Sequence, residues 1–201
     1  MPHKRSAVQT RGDLLASAAK EIHLQGYQAA SLSKILADAR VTKGALYHHF
    51  KNKQALGYAV VDEIWEPMMH TMWIAPLLDT SQNPIDMIIS SINEVGKDMD
   101  AEALLLGCPI NNLAQEMSAI DEGFRERLNM ILVQWRQAIQ YALSSGQQQG
   151  TVNKRISTEI SATMIVASLE GCIGVAKNAQ SVDLLMQCAA GIIDYLNTLR
   201  I

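Results

Sequence analysis

Apolar residues recur three and four positions apart along most of the chain, and the polar residues that interrupt them are the kinds that start and stop helices. Thr10 followed by Asp13 reads as a capping-box-like start, and Leu14, Leu15, Ala18, Ala19 and Ile22 then form one stripe until Gly26 supplies a stop. Ser31 or Ser33 can cap a short second helix with Leu32, Ile35, Leu36 and Ala39 facing the first, ending near Ala39 or Arg40. Thr42 caps a third, with Val41 and Leu46 placed to pack together as a hydrophobic staple. Helix, tight turn and helix in this order make a helix-turn-helix.

Asn52 is expected to cap a long fourth helix through Leu56, Val60, Ile64 and Trp65 towards Trp73, with a kink or break at Pro67. Residues 74–84 carry two prolines with Asp, Ser and Asn and read as a loop. A fifth helix is expected from Ile85 to about Asp100. After a turn at Gly107-Cys108, a short sixth opens at Pro109, in the favoured first position. Three longer helices follow, at about 121–148, 156–178 and 182–199. No segment alternates with a period of two. The expectation is an all-α chain of about nine helices: a three-helix head over residues 1–52 and a larger helical domain over 53–201.

Charge divides at the same place. Residues 1–54 hold nine Lys/Arg against three Asp/Glu, whereas residues 55–201 hold eight against seventeen. A basic head on an acidic body suits a nucleic-acid partner for the head. Apolar stretches look interrupted before they reach the length of a membrane span, and no apolar leader follows the basic start, so a cytoplasmic protein is expected with no membrane partner. Three cysteines at wide spacing suggest neither a disulfide framework nor a zinc site. No metal, no cofactor and no catalytic constellation is read from the chain.

In a helix-turn-helix the second helix presents its N-terminal residues to base edges in the major groove. Thr42, Lys43, Gly44 and Ala45 occupy that end: Lys43 suits a guanine or a phosphate, Ala45 a thymine methyl, and Gly44 allows close approach. Tyr47, His48 and Lys53 are candidates for the DNA backbone, as are Ser33 and Lys34 where the second helix opens. Leu46 and Phe50 read as core, and His49 as core edge or contact.

Residues 10–56, most sharply the run from Val41 to Leu56 (Val-Thr-Lys-Gly-Ala-Leu-Tyr-His-His-Phe-Lys-Asn-Lys-Gln-Ala-Leu), resemble the DNA-binding head of the TetR family of transcriptional regulators. The resemblance implies an all-helical homodimer, usually a repressor, released from a palindromic operator on double-stranded DNA when the C-terminal domain binds a small-molecule effector. Arg40 departs from the pattern, since family members usually place glycine in that turn.

The resemblance also places the effector pocket among helices four to seven. Trp65, Met68, Met69, Met72 and Trp73 are then candidates for an adaptable apolar wall, with Met87, Met130 and Trp135 as weaker candidates. The alternative for each is ordinary core. The segment from Gly107 to Glu116 is similar to a Gly-Cys…Asn-Leu…Glu signature of a TetR subgroup that includes sensors of reactive electrophiles. Cys108 falls at a helix N-cap, where amides and dipole favour a thiolate, so it is either a thiol sensor or a packed turn cysteine. Asn111, Asn112 and Glu116 can bond a polar effector or only local backbone, and Cys172 and Cys188 read as inert. The last two helices are apolar enough to form a four-helix interface with a second subunit. An effector-free DNA-binding module remains the remaining alternative.

Overall fold

The computed structural model describes residues 6–98 and 105–201. With residues 53–78 taken as one helical run, these form nine helical stretches, and the only strand-like pairing among them is an isolated bridge between Val152 and Arg200. The chain is all-α, as its periodicity predicts. It divides into two compact units, one of Met1–Pro67 with Pro109–Leu128, the other of Met68–Cys108 with Asn129–Ile201.

The first unit opens with α1, Ala7–Gln25, which starts earlier than the Thr10 signal because Ser6 accepts from Gln9 N–H as N-cap. Thr10 instead donates its hydroxyl to the Ser6 carbonyl. The predicted stripe is buried, and Gly26 ends the helix at φ 82°. Between the two serines it is Ser31 that caps α2, Leu32–Ala39. That helix ends on Arg40 at φ 54° and ψ 46°, the left-handed region. The usual glycine there has its physical reason in that angle, and an arginine costs on the order of 1 kcal/mol by comparison. Thr42 caps α3, Lys43–His49, and Asn52 caps α4, Lys53–Val60, each through its side chain to the third residue on. Leu46 and Phe50 turn inward, and α1 packs against α2, α3 and α4.

Pro67 does not break the run. α4 passes into a π segment, Val61–Trp65, then α5, Glu66–Met69, a second π segment, His70–Ile74, and a 3₁₀ turn, Ala75–Leu78. Glu66 N–H bonds the Val61 carbonyl and Ala75 N–H that of His70, both five residues back. Widening the helix shifts its hydrogen-bond register beside the proline, which has no N–H to give and crowds the carbonyl four residues earlier. The predicted loop at 74–84 therefore shrinks, because Leu77 is buried and holds the 3₁₀ turn to α6, Pro84–Asp98. The expected end of that helix at Asp100 lies outside the described residues.

α7, Pro109–Met117, packs against α1 and the first π segment within the first unit. α8, Glu122–Gln149, begins there too. Its Phe124 ring stands edge-on to both Tyr27, at 4.6 Å, and Tyr58, at 4.8 Å. Gly57 faces that trio, and a Cβ there would lie 2.7 Å from Tyr27 and 2.8 Å from Phe124, so the packing requires its missing side chain.

In the second unit, α9, Thr158–Ala179, capped by Ser157, lies along α10, Val182–Thr198, capped by Ser181, and α10 touches α6. Trp73 and Trp135 pair at 4.9 Å. Contrary to the sequence expectation, α9 is by length and composition apolar enough to cross a membrane, because its two internal acids and one lysine lie far apart. Much of its apolar surface is exposed.

Candidate functional site

The residues predicted to meet DNA all belong to the first unit. Thr42, Lys43, Gly44 and His48 are exposed, Tyr47 is 46% exposed, Ala45 is partly buried, and Ser33 and Lys34 are exposed at the start of α2. Leu46 and Phe50 hold α3 from below, and Arg11 lies over the Phe50 ring at 5.0 Å. Lys43 Nζ sits 5.9 Å from the Tyr47 ring, and the His48 and His49 rings meet edge to face. Lys34 has only a loose 3.9 Å pairing with Glu21, which leaves it available.

Lys53 is placed differently from a simple surface cation. Its ammonium donates to the Gln28 carbonyl at 3.0 Å and the Ala30 carbonyl at 2.7 Å and lies over the Tyr27 ring. Burial pulls its pKa down, against the opposing field of Glu116 and Glu21. Two of its three N–H donors are thus committed to the turn between α1 and α2. Glu116, from α7, takes the other side of that turn: its two carboxylate oxygens accept from Tyr27 N–H and Gln28 N–H, each at 2.7 Å. Sequence reasoning left Glu116 open between effector and local backbone. It bonds backbone, but nearly ninety residues away in sequence.

Further charged contacts tie α4 and the first π segment into the same unit. Asp121 accepts from Tyr58 Oη and Gln54 Nε2, each at 2.6 Å, and Tyr58 holds its carboxyl below the usual aspartate range. Arg127 reaches Asp62 at 3.0 Å while lying over Tyr58, and Arg11 pairs with Glu63 through both guanidinium nitrogens.

The proposed effector residues divide between the units. Trp65 is buried in the first, whereas Met68, Met69, Met72, Trp73 and Trp135 belong to the second, with Met69, Trp73 and Trp135 deeply buried and Met68 and Met72 partly exposed. Met87 is partly buried, and Met130 faces outward at 58% exposure. Asn111 accepts from Gln115 at 3.4 Å, and Asn112 is partly buried. Cys108 stands immediately before α7 after Gly107 at φ 81°, and its thiol donates to the carboxyl of Glu170 on α9.

Two features escaped the sequence reading. Glu170 is the single charge between Glu159 and Lys177, a signal that was visible. Cys172 and Cys188 are hydrogen-bonded to one another, with burial and the neighbouring thiol pushing Cys172 up to about 12. Only the pairing of α9 with α10 brings them together.

Residues 14–60 match the model of the bacterial regulatory proteins of the tetR family, and residues 84–191, more than half of the chain, match the C-terminal domain of LmrA/YxaF-like transcriptional regulators. The chain belongs to the TetR family of transcriptional regulators. Relatives include the regulator LmrA of Bacillus subtilis, 26% identical with 93% of this chain and 96% of LmrA covered, and the repressor DhaR of a Mycobacterium species, 28% identical with 74% and 73% covered. Among solved structures, a TetR regulator from Chloroflexus aurantiacus superposes with a TM-score of 0.84 at 26% identity, covering 98% of both chains. Reduced NemR of Escherichia coli shares the fold, with a TM-score of 0.79 at 22% identity over 96% of this chain and 97% of NemR.

In this TetR-family regulator the α1–α2 turn is bound so tightly that its tyrosine carries a pH signature. Burial first, then the negative fields of Asp121, Tyr58 and Glu116, pushes the Tyr27 phenol from 10.0 up to about 12. A raised folded-state value gives stability that is whole below the unfolded value and lost as pH climbs through the folded one. Thermal melts should therefore fall between pH 10 and about 12, and Tyr27→Phe should flatten that fall. Superimposable profiles for the two proteins would show that the phenol is not excluded from water as described.

Proposed function

We propose that this regulator is a repressor which binds a twofold-symmetric DNA operator as a homodimer, lets go when a small molecule occupies its second unit, and carries no catalytic step. The division of labour follows the sequence reading, with residues 1–52 contacting DNA and 53–201 serving effector binding and dimerisation, in the cytoplasm. The observation that carries it is the exposed N-terminal end of α3, with Thr42, Lys43 and Gly44 open to solvent above a buried Leu46 and Phe50. Repressor action is supported by the similarity to DhaR, a transcriptional repressor.

Thr42, Lys43, Gly44 and Ala45 read bases, and Tyr47, His48, Ser33 and Lys34 hold phosphates. Lys53 keeps one N–H for a phosphate at the start of α4, while its other two organise the turn. Lys43→Ala should cost about 1–3 kcal/mol of discrimination at one position per half-site. Sequencing the DNA retained by the wild type and by the variant checks this. An unaltered base preference would remove Lys43 from the groove.

Dimerisation through α9 and α10 is supported by what those helices leave uncovered. Ile160, Met164, Ala167, Gly171, Gly174 and Val175 are exposed at helical spacing on α9, and Met186, Ala190 and Gly191 on α10. A Cβ added at Gly171, Gly174 or Gly191 meets no atom within 4 Å, so these glycines leave room for close approach by another helix. A second copy would cover the apolar surface that makes α9 resemble a membrane span. Met164→Glu, on this exposed face, should yield a folded monomer in analytical ultracentrifugation with sharply reduced operator binding. A variant that remains dimeric at low micromolar concentration would place the interface elsewhere.

The effector reading rests on Met68, Met69, Met72, Trp73 and Trp135 as an adaptable apolar lining, with Trp65, Cys108 and Asn112 carried from the family resemblance. A non-covalent effector is the leading reading, with thiol chemistry at Cys108 as the alternative, because the second unit gathers this Met and Trp cluster.

A further inference from the structure

Among the described residues, three buried side-chain polar atoms have no hydrogen-bond partner: Gln134 Oε1, Trp135 Nε1 and Glu170 Oε2. All three belong to the second unit. Buried polar groups without partners are uncommon in folded proteins, and each calls for a ligand, a water or a cost elsewhere. Glu170 is the most demanding, because it is a carboxyl group only 8% exposed. It lies on the inward side of α9, one turn from the buried Val166 and beside the buried Leu169. Cys108 supplies one weak donor, and no salt bridge reaches the carboxyl among the described residues. Burial accordingly pushes it towards the protonated form.

We propose that Glu170 anchors a buried ligand site in the second unit and that its ligand is an organic ammonium with an apolar body, whose N–H donates to Oε2. A protonated amine is the one common donor that brings both the missing hydrogen bond and the missing countercharge. A neutral alcohol fills the hydrogen bond but brings no charge that would let the buried carboxyl ionise, and a carboxylate ligand brings a like charge. The same unit also holds the Trp73–Trp135 aromatic pair, of the kind that attracts cations, and the soft, apolar Met69 and Met72. Gln134 Oε1 is a further unfilled acceptor in the same unit.

This inference deepens the ligand-released repressor reading and depends on it only for the ligand's consequence on DNA. Cys108 joins the anchor to the residue that opens α7, and α7 carries Glu116, so a ligand that displaces the thiol from Glu170 acts at the start of the helix that holds the α1–α2 turn.

The test uses full-length protein and calorimetry with butylamine, phenethylamine and tryptamine, each beside an alcohol and a carboxylate of matched shape. At least one amine should bind the wild type about tenfold or more tightly than its alcohol, with no binding of the carboxylate. Glu170→Gln keeps the shape and removes the charge, and should abolish that preference while leaving alcohol binding unchanged. Failure of every amine to bind, equal binding of amine and alcohol, or an unchanged preference in the Gln variant overturns the proposal. Should the variant fold poorly, a crystal of the wild type grown with the best amine decides: its nitrogen on Oε2 supports the anchor, and a water alone there overturns it. Operator release is measured separately. An amine that binds through Glu170 without freeing DNA supports the site and counts against the ligand-released reading.

Discussion

The turn joining α1 to α2 is held by two charged side chains that come from outside it. Glu116 accepts the amides of Tyr27 and Gln28, and Lys53 donates to the carbonyls of Gln28 and Ala30. Gly26, at φ 82°, lets the chain reverse there, and a Cβ at that residue would lie 3.0 Å from the Glu116 carboxylate. Because both acceptor and donor are charged, these bonds are of the stronger kind. Loss of the carboxylate alone should cost the unit about 2–4 kcal/mol, a large share of the ~5–15 kcal/mol that stabilises a typical domain. The turn sets how α2 leaves α1, and α2 with its left-handed Arg40 sets how α3 enters. The residues proposed to read bases thus inherit their position from a carboxylate far along the chain.

That dependence explains why the first unit is discontinuous in sequence. α7 and the start of α8 are as much part of the DNA-reading unit as α4, through Glu116, the Phe124 ring between two tyrosines, and the Asp121, Tyr58 and Gln54 cluster. The chain leaves this unit at Pro67, between two π segments, and re-enters it at Pro109, directly after the cysteine bonded to Glu170. π turns have poorer hydrogen-bond geometry than α turns and often mark functional points. With a third crossing after Leu128, these are the points at which the backbone passes from one unit to the other.

Much of this was legible in the residues because it is local. Capping residues at Ser31, Thr42 and Asn52, the burial of Leu46 and Phe50, and the strained turn at Arg40 each follow from a few neighbours in sequence. What was illegible is long-range pairing. Lys53 reads locally as a phosphate contact, and nothing near it in sequence reveals that the carbonyls of residues 28 and 30 also hold it. Cys172 and Cys188 read as inert from their apolar helices, and their pairing was hidden because sixteen residues separate them and only the α9–α10 hairpin brings the thiols together. The π segments answered Pro67 with a change of register instead of a break, a choice that depends on packing at Trp65 and Trp73. Glu170 was overlooked although its isolation in an apolar run marked it. The apolar wall of the second unit stays the least readable part, since Met and Trp at helical spacing fit a core and a pocket equally well.

Amide hydrogen exchange at Tyr27 and Gln28, measured with operator affinity on the same samples of wild type and Glu116→Ala, shows whether the Glu116 carboxylate positions the helices proposed to read DNA. Both amides should lose protection and operator affinity should fall by about tenfold or more while α7 keeps its own protection. Loss of protection at the two amides with operator affinity unchanged would contradict that role, because the turn would then be free without consequence for the helices that read DNA.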